Sequence, residues 1–281
     1  RIWNGLDQPF ADRCLSAAET AWQAALENPG IYAGNTPGVG GGNYPDENLS
    51  DEFYWAAAEL FITTGKEEYK EYLLSSKDFA AADAFDWGHV APLGTISLLS
   101  HETSLSAEQK AALQRAIIAY ADELLKVQEQ DGYKVLIDED YPWGSNGLIM
   151  NNMLLVSMAY KLSGEARYLD SVRLSMDYIL GRNALNKSFV AGYGAYPMRH
   201  PHHRFWANDP ASGFPAPPAG ALSGGPNFNP ADPAADAADL MSQPPSKRYL
   251  DDLQSYTTNE GAINWNAPLV WVAAFLDYTG K

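Results

Sequence analysis

The chain is 281 residues long with a formal net charge of −16. That acidic excess argues against nucleic acid and anionic membrane as partners, because both recruit basic patches, and it fits a neutral substrate. The single cysteine, Cys14, excludes an internal disulfide and a cysteine-based zinc site.

The length suits one large domain or two smaller ones. No run is long and apolar enough to span a bilayer. The chain opens on Arg1-Ile-Trp3 without an initiator Met, so a processed or cut product is expected. Residues 9–28 read as a helix, with Pro9 early and Asn28-Pro29-Gly30 as its stop. Cys14 falls in its apolar pattern and is expected to be a buried, inert thiol. Residues 30–49, rich in Gly, Asn and Pro, are loop. Ser50 then offers a cap with Asp51 and Glu52 in the first turn, and an apolar helix runs from Phe53 to Thr64. Gly65 breaks it, and Lys66 to Ser76 forms a second, more amphipathic helix. A loop carrying Asp83, Asp86, Trp87 and His89 leads to a short helix over Pro92 to Leu99. Ser106-x-x-Gln109 is a capping box opening a long helix to about Gln130.

Tyr141-Pro-Trp143-Gly-Ser-Asn146-Gly147 is a turn-rich aromatic loop. Leu148 to Leu162 is apolar on nearly every face and should be an inner, buried helix. Glu165 to Leu180 is its outer partner. Residues 182–248 then lack periodicity, and a connection of that length is usually functional or disordered. A final helix is expected from about Glu260 to Tyr278. The pattern gives about eight helices in pairs and no strand series, an all-α toroid of helical hairpins with a site built by loops.

Three groups of residues carry chemistry. Around the last helix stand Asp251 and Glu260 with Tyr256 and Trp265. A carboxyl partly desolvated among aromatics has its pKa raised, as a general acid requires. Asn259-Glu260 is equally readable as ordinary helix capping. The second group is Arg199-His200-Pro-His202-His203-Arg204. A metal is disfavoured there by the adjacent cations and the absence of a local carboxylate or thiol. A row of donors for hydroxyl-rich ligands, or for orienting Asp251, fits better, and some of the histidines will only hold the loop. The third is a set of aromatics in Gly/Pro loops, Tyr44, Trp87, Tyr141, Trp143, Tyr193 and Trp206. Some should be sugar-stacking faces, with Asn146 binding hydroxyls, and the rest loop anchors. Asp51, Glu52, Asp83 and Asp86 offer oxygen donors for calcium without EF-hand spacing, and helix capping is the alternative.

The chain resembles the catalytic domain of family 9 glycoside hydrolases. The family's acidic signature is matched at Tyr249, Asp251, Tyr256, Glu260, Ala262, Asn266 and Ala267. Its histidine signature is matched at Pro201, His202 and Arg204, with departures at Ala191 and Tyr196 that touch subsite shape. Ser50-Asp51-Glu52, Tyr141-x-Trp143-Gly-Ser-Asn146 and Tyr178-x-Leu-Gly-Arg-Asn183 are further echoes in the family's order.

The resemblance implies an (α/α)6 barrel, here an incomplete ring, with residues 1–281 as the C-terminal part of one catalytic domain. It implies an inverting, cellulase-like hydrolase of β-1,4-glucans, secreted and bacterial. Glu260 would be the general acid, with Asp251 and His202 beside it as catalytic-site residues. Arg204, Trp143, Trp87, Tyr256 and Tyr44 would bind substrate, and Asp51, Glu52 and Asp86 would hold a structural calcium ion. The family's base lies in an Asp-Ala-Gly-Asp motif that these residues do not contain; Asp83-Ala-Phe-Asp86 is misplaced and lacks the Gly. The base is therefore expected on an N-terminal segment of the same enzyme. The alternatives are a glycan-binding member without activity and an exo-acting glucosaminidase-type member.

Overall fold

The computed structural model describes residues 1–32, 44, 46–138, 140–211 and 213–280. Most of the Gly/Asn/Pro-rich loop expected over 30–49 lies outside these residues. The chain forms two units, Arg1–Ala116 and Ile117–Lys281.

In the first unit, α1 (Gln8–Glu27) starts where Asp7 Oδ1 accepts the Phe10 N–H at 3.1 Å, with Pro9 in the first turn. α2 (Ser50–Thr64) ends on Gly65, whose left-handed backbone lets its N–H reach Phe61 O at 2.8 Å. α3 (Glu67–Ser75) and α4 (Ala91–Ser100) both pack on α2. Their shared core centres on Tyr54, Phe61, Tyr69, Leu73 and Leu98. Tyr54 places its ring against Gly94 and its hydroxyl 3.1 Å from Thr95 Oγ1, and the Tyr69 hydroxyl donates to Glu19 Oε1 at 3.2 Å, so both tyrosine hydroxyls of this core are paired. Cys14 departs from expectation and is exposed. Of the α1 residues only Trp22 is buried, so the helix has an apolar pattern without a covered face at that position.

α5 (Ala107–Gln130) opens with the expected capping box: Ser106 N–H donates to Gln109 Oε1 at 2.8 Å, and Gln109 N–H to Ser106 Oγ at 3.2 Å. In the second unit α6 (Ser145–Ser163) is buried along almost its whole length, between α7 (Ala166–Ile179) and α10 (Ile263–Thr279). α7 is amphipathic, as an outer partner should be. α6 begins three residues before the apolar run, where the Ser145 hydroxyl donates to Pro226 O at 2.6 Å and the Asn146 N–H to Gly224 O at 2.9 Å. The segment 182–248 includes one short helix, α8 (Pro233–Ala237), and two 3₁₀ turns, Leu240–Ser242 and Pro245–Lys247. A one-turn helix, α9 (Tyr256–Asn259), precedes α10.

Eight helices of nine residues or more stand among the described residues, with no β-strand, only the isolated bridges Val190–Leu222 and His202–Glu260. The all-α expectation holds. No helix of the described residues is long and apolar enough to cross a membrane.

Candidate active site

Glu260 does not stand at the mouth of the last apolar helix. It follows α9 in extended backbone, and α10 starts three residues later with Ala262 at its cap position. Helix capping therefore does not account for it. One turn of helix leaves its carbonyls without intrahelical partners, and here those of Thr257, Thr258 and Asn259, and that of Glu260 after them, find partners elsewhere. Thr257 O accepts from Asn227 Nδ2 at 2.8 Å and Thr258 O from Gly225 N at 2.8 Å. Asn259 O accepts from His202 N at 2.9 Å and Glu260 O from Gly224 N at 2.8 Å. The other end is held by Asp232, whose buried Oδ2 accepts the Thr257 N–H at 3.1 Å, the Ser255 hydroxyl at 3.3 Å and the Thr257 hydroxyl. The long aperiodic segment is thus the frame on which the Glu260 turn is built.

Around the Glu260 carboxyl the structure gathers Trp143, Tyr256 and His202. Trp143 Nε1–H donates to Glu260 Oε2 at 3.0 Å. The Tyr256 ring lies 6.1 Å from that of Trp143 and 5.6 Å from that of His202. Burial raises the Glu260 pKa above the ordinary carboxylate range, and the Trp143 N–H and the His202 charge pull it only part of the way back. His202 Nδ1 is 2.7 Å from Leu253 O. A carbonyl only accepts, so the ring proton sits on Nδ1. Arg204 is exposed two residues further on.

Close packing sets where Trp143 stands. At Gly144, with φ +80°, an added Cβ would lie 2.5 Å from the Trp265 ring, and at Gly147 2.2 Å. Both positions require glycine for Trp265 to reach the start of α6. Trp265 therefore packs against the residue after Trp143 and the start of α6, and also lies against Gly224, whose N–H bonds to Glu260 O. Asn146 is fully buried, its N–H on Gly224 O at 2.9 Å and its Nδ2 on Ser223 O at 2.9 Å. The expected hydroxyl-binding role does not fit it; it ties the head of α6 to the strip that also holds Glu260. Tyr141 is a buried anchor, whereas Trp143 is half exposed. Tyr193 is exposed, and Trp206 stacks on His203 at 4.0 Å.

Asp251 touches the loop rather than the acid. Its carboxylate accepts the Arg199 N–H at 3.0 Å and the His200 N–H at 2.8 Å, and pairs with Lys187 Nζ at 2.8 Å. Burial would raise its pKa, but Lys187 and the two backbone donors outweigh that and hold the carboxyl below its usual range. Asp251 is a positioning residue in this geometry. The expected donors for it come from the backbone of the histidine segment, not from its side chains. Asn259 is the hub between the two signatures. Its Nδ2 donates to His200 O at 2.7 Å, its Oδ1 accepts from Tyr249 OH at 2.6 Å, and its side chain is fully buried. Sequence reasoning missed the parts played by Lys187, Asn259 and Asp232, because their partners, side chains and backbone atoms alike, lie far along the chain.

The remaining expected site residues lie in the first unit. The Tyr44 and Trp87 rings meet edge to face at 5.3 Å, both more than half exposed, which leaves ring faces open to a ligand. Asp51 is fully buried, with Oδ2 accepting from Val90 N at 2.7 Å and lying 3.6 Å from His89 Nδ1. Burial, a hydrogen bond with Asp51 and the nearby Asp51 and Asp46 charges raise the Glu52 carboxyl to about 7. Glu52 Oε2 and Asp46 Oδ2 are buried without hydrogen-bond partners. Asp86 instead accepts the Gly88 N–H in its own turn, at 2.7 Å. Among the described residues no three His, Cys, Asp or Glu side chains are grouped closely enough to hold a metal ion.

Comparison with known proteins gives a consistent result. The family model for glycosyl hydrolase family 9 matches residues 1–273. A cellulose 1,4-beta-cellobiosidase of Acetivibrio thermocellus is 43% identical over 99% of this chain and 34% of its own length. Endoglucanase C of Cellulomonas fimi is 38% identical over 100% of this chain and 26% of its own. Among solved structures, a Bacteroides ovatus GH9 protein superposes with a TM-score of 0.85 at 34% identity, covering 100% of this chain and 51% of that one. The family 9 endoglucanase J30 gives 0.88 at 30% identity, covering 98% and 52%. The chain thus spans about a quarter to a third of those two curated relatives. These structural neighbours carry the (α/α)6 fold expected from the sequence.

Proposed function

The chain belongs to glycosyl hydrolase family 9, and from that membership we propose that it contributes the acid side of an inverting active site that hydrolyses β-1,4-glucosidic bonds in cellulose or related β-glucans. Residues 1–281 are, on this reading, the C-terminal part of one catalytic domain. The observation that carries the proposal is the setting of Glu260: half-buried, raised above the ordinary carboxylate range, and fixed by Trp143 and the His202 bridge. A carboxyl so placed keeps its proton at a pH where an exposed one has lost it, and can pass it to the glycosidic oxygen as the C–O bond breaks. His202 and Arg204 grip sugar hydroxyls, Trp143 and Tyr256 flank the sugar at the acid, and Tyr44 and Trp87 are stacking faces.

Inversion needs a second carboxylate about 6.5–9.5 Å from the acid, activating a water on the opposite face of the sugar. We assign that base to a further segment of the same enzyme, because the family's Asp-Ala-Gly-Asp motif does not occur in these residues. The named activities of the relatives and their greater length support this. An insoluble polymer as substrate places the enzyme outside the cell.

Calcium is the proposed structural ion. Asp51 and Glu52 suit it as hard oxygen donors, and the partnerless buried oxygens of Glu52 and Asp46 are groups that a cation would satisfy.

The deciding experiment replaces Glu260 by Gln in the protein that carries this chain. Turnover of a soluble β-1,4-glucan should fall about 10²–10⁴-fold while oligosaccharide binding persists. Unchanged turnover would remove Glu260 from the role of proton donor.

A further inference from the structure

Resting on that reading of Glu260, we infer that Trp143 is a positioning residue that decides which oxygen of the acid carries the proton. The indole N–H is a donor only and has no lone pair to offer. At 3.0 Å from Oε2 it makes a full hydrogen bond. A carboxyl's carbonyl oxygen accepts more strongly than its hydroxyl oxygen, so the contact favours Oε2 as the carbonyl oxygen and Oε1 as the oxygen that carries the acidic proton.

The contact is a product of the fold. Trp143 and Glu260 lie 117 residues apart in sequence. Trp265 packs against Gly144, the residue after Trp143, and against Gly147, and the Glu260 backbone is held at the end of the cross-bonded turn α9. The backbone on each side is thus anchored independently of the contact.

The consequence for the reaction is directional. The Oε1–H bond breaks and the proton passes to the glycosidic oxygen, which also takes the electrons of the breaking bond to the anomeric carbon. Water adds its hydroxyl to that carbon and gives its proton to the carboxylate base. Glu260 is left as a carboxylate, and the Trp143 contact changes from a neutral to a charge-assisted hydrogen bond, which is stronger. An interaction that strengthens along the reaction lowers the barrier, whereas one of constant strength would not. Trp143 thus has a part beyond offering a stacking face.

The groups facing Glu260 are few. His202, from the histidine segment, is the titratable neighbour that acts on it, and Tyr256 flanks it from the start of α9. Asp251 and Lys187, behind the same segment, neutralise each other.

The test exchanges the N–H and keeps the ring. Trp143→benzothienylalanine, with sulfur in place of the indole nitrogen, is compared with Trp143→Phe in the protein that carries this chain. Removing the donor destabilises the carboxylate, so the Glu260 pKa rises and the alkaline limb of the kcat/KM profile moves up by about one pH unit. kcat at the plateau should fall about tenfold, with KM for a soluble β-1,4-glucan little changed in the isosteric variant. A ¹³C NMR titration of the Glu260 carboxyl should show the same upward shift without turnover. An unmoved limb with a raised KM would make Trp143 a stacking face alone and overturn the inference. Full turnover by Glu260→Gln would instead sink the underlying donor reading, so the two failures are distinguishable.

Discussion

Lys187 Nζ lies 2.8 Å from Asp251 Oδ2, and both side chains are largely removed from water. Asp251 is thereby kept ionised as the acceptor for the Arg199 and His200 N–H groups, two residues before His202. Replacing Lys187 by Met leaves that carboxylate partly buried without its counter-charge, which should lower stability by about 2 kcal/mol in denaturant unfolding. The pH sign follows from the depressed pKa. The stability that Asp251 contributes is fully present above its unfolded value near 3.8 and disappears as pH falls through the lower folded value. Melting curves between pH 5 and about 2 should show the wild-type protein losing this contribution and Asp251→Asn lacking it throughout. Parallel pH dependence in the two proteins would contradict the assignment.

Asn259 is a fully buried side chain joining the two signature segments, bonded to His200 O on one side and Tyr249 OH on the other. Asn259→Asp keeps an acceptor for Tyr249 OH but points an oxygen at His200 O. The variant should be destabilised by about 2–4 kcal/mol, with activity falling further than stability explains, because His202 N–H bonds to Asn259 O. A stable, fully active Asn259→Asp protein would show that the hub is dispensable.

Gly147 tests the support beneath Trp143. A Cβ there would stand 2.2 Å from the Trp265 ring. Gly147→Ala should cost about 3 kcal/mol in chemical unfolding or displace the α6 head. Gly147→Ala with Trp265→Leu should recover part of the loss, and failure of the smaller side chain to relieve Gly147→Ala would place the strain elsewhere.

Calcium binding by the first unit is checked by melting. Saturating Ca²⁺ should raise Tm by about 5 °C over the chelated protein, and Glu52→Gln should abolish most of that response. Identical melting in Ca²⁺ and in chelator would end the calcium proposal.

The helices were legible because their determinants are local. Periodicity, the Ser106/Gln109 box and the Gly65 stop each specify an element from within a few residues, and α1 to α7 appear where those signals put them. Glu260, Trp143, Tyr256 and His202 were also nameable, since they lie in recognisable patterns. Which of them touch was not legible. Asp251 carries the signature yet bonds to the loop, and Trp265 looks like a site aromatic yet packs under glycines. Asn146 reads as a ligand-facing amide and is instead a buried tie to Ser223. Cys14 misled because an apolar stripe records what a helix prefers to face, not what covers it. In each case the deciding contact is with a backbone atom or a side chain far along the chain, and periodicity says nothing about such pairs.

The turn that presents Glu260 makes outside hydrogen bonds to residues 200, 202, 224–227 and 232, none of them sequence neighbours. Closing those long intervals costs chain entropy that only the finished loop repays. The hairpin of α6 and α7 relies on near neighbours and should form early, while the acid turn sets last. Refolding should therefore regain helical signal before catalytic competence, and a cut within the 203–219 stretch should silence the acid while leaving the helices standing.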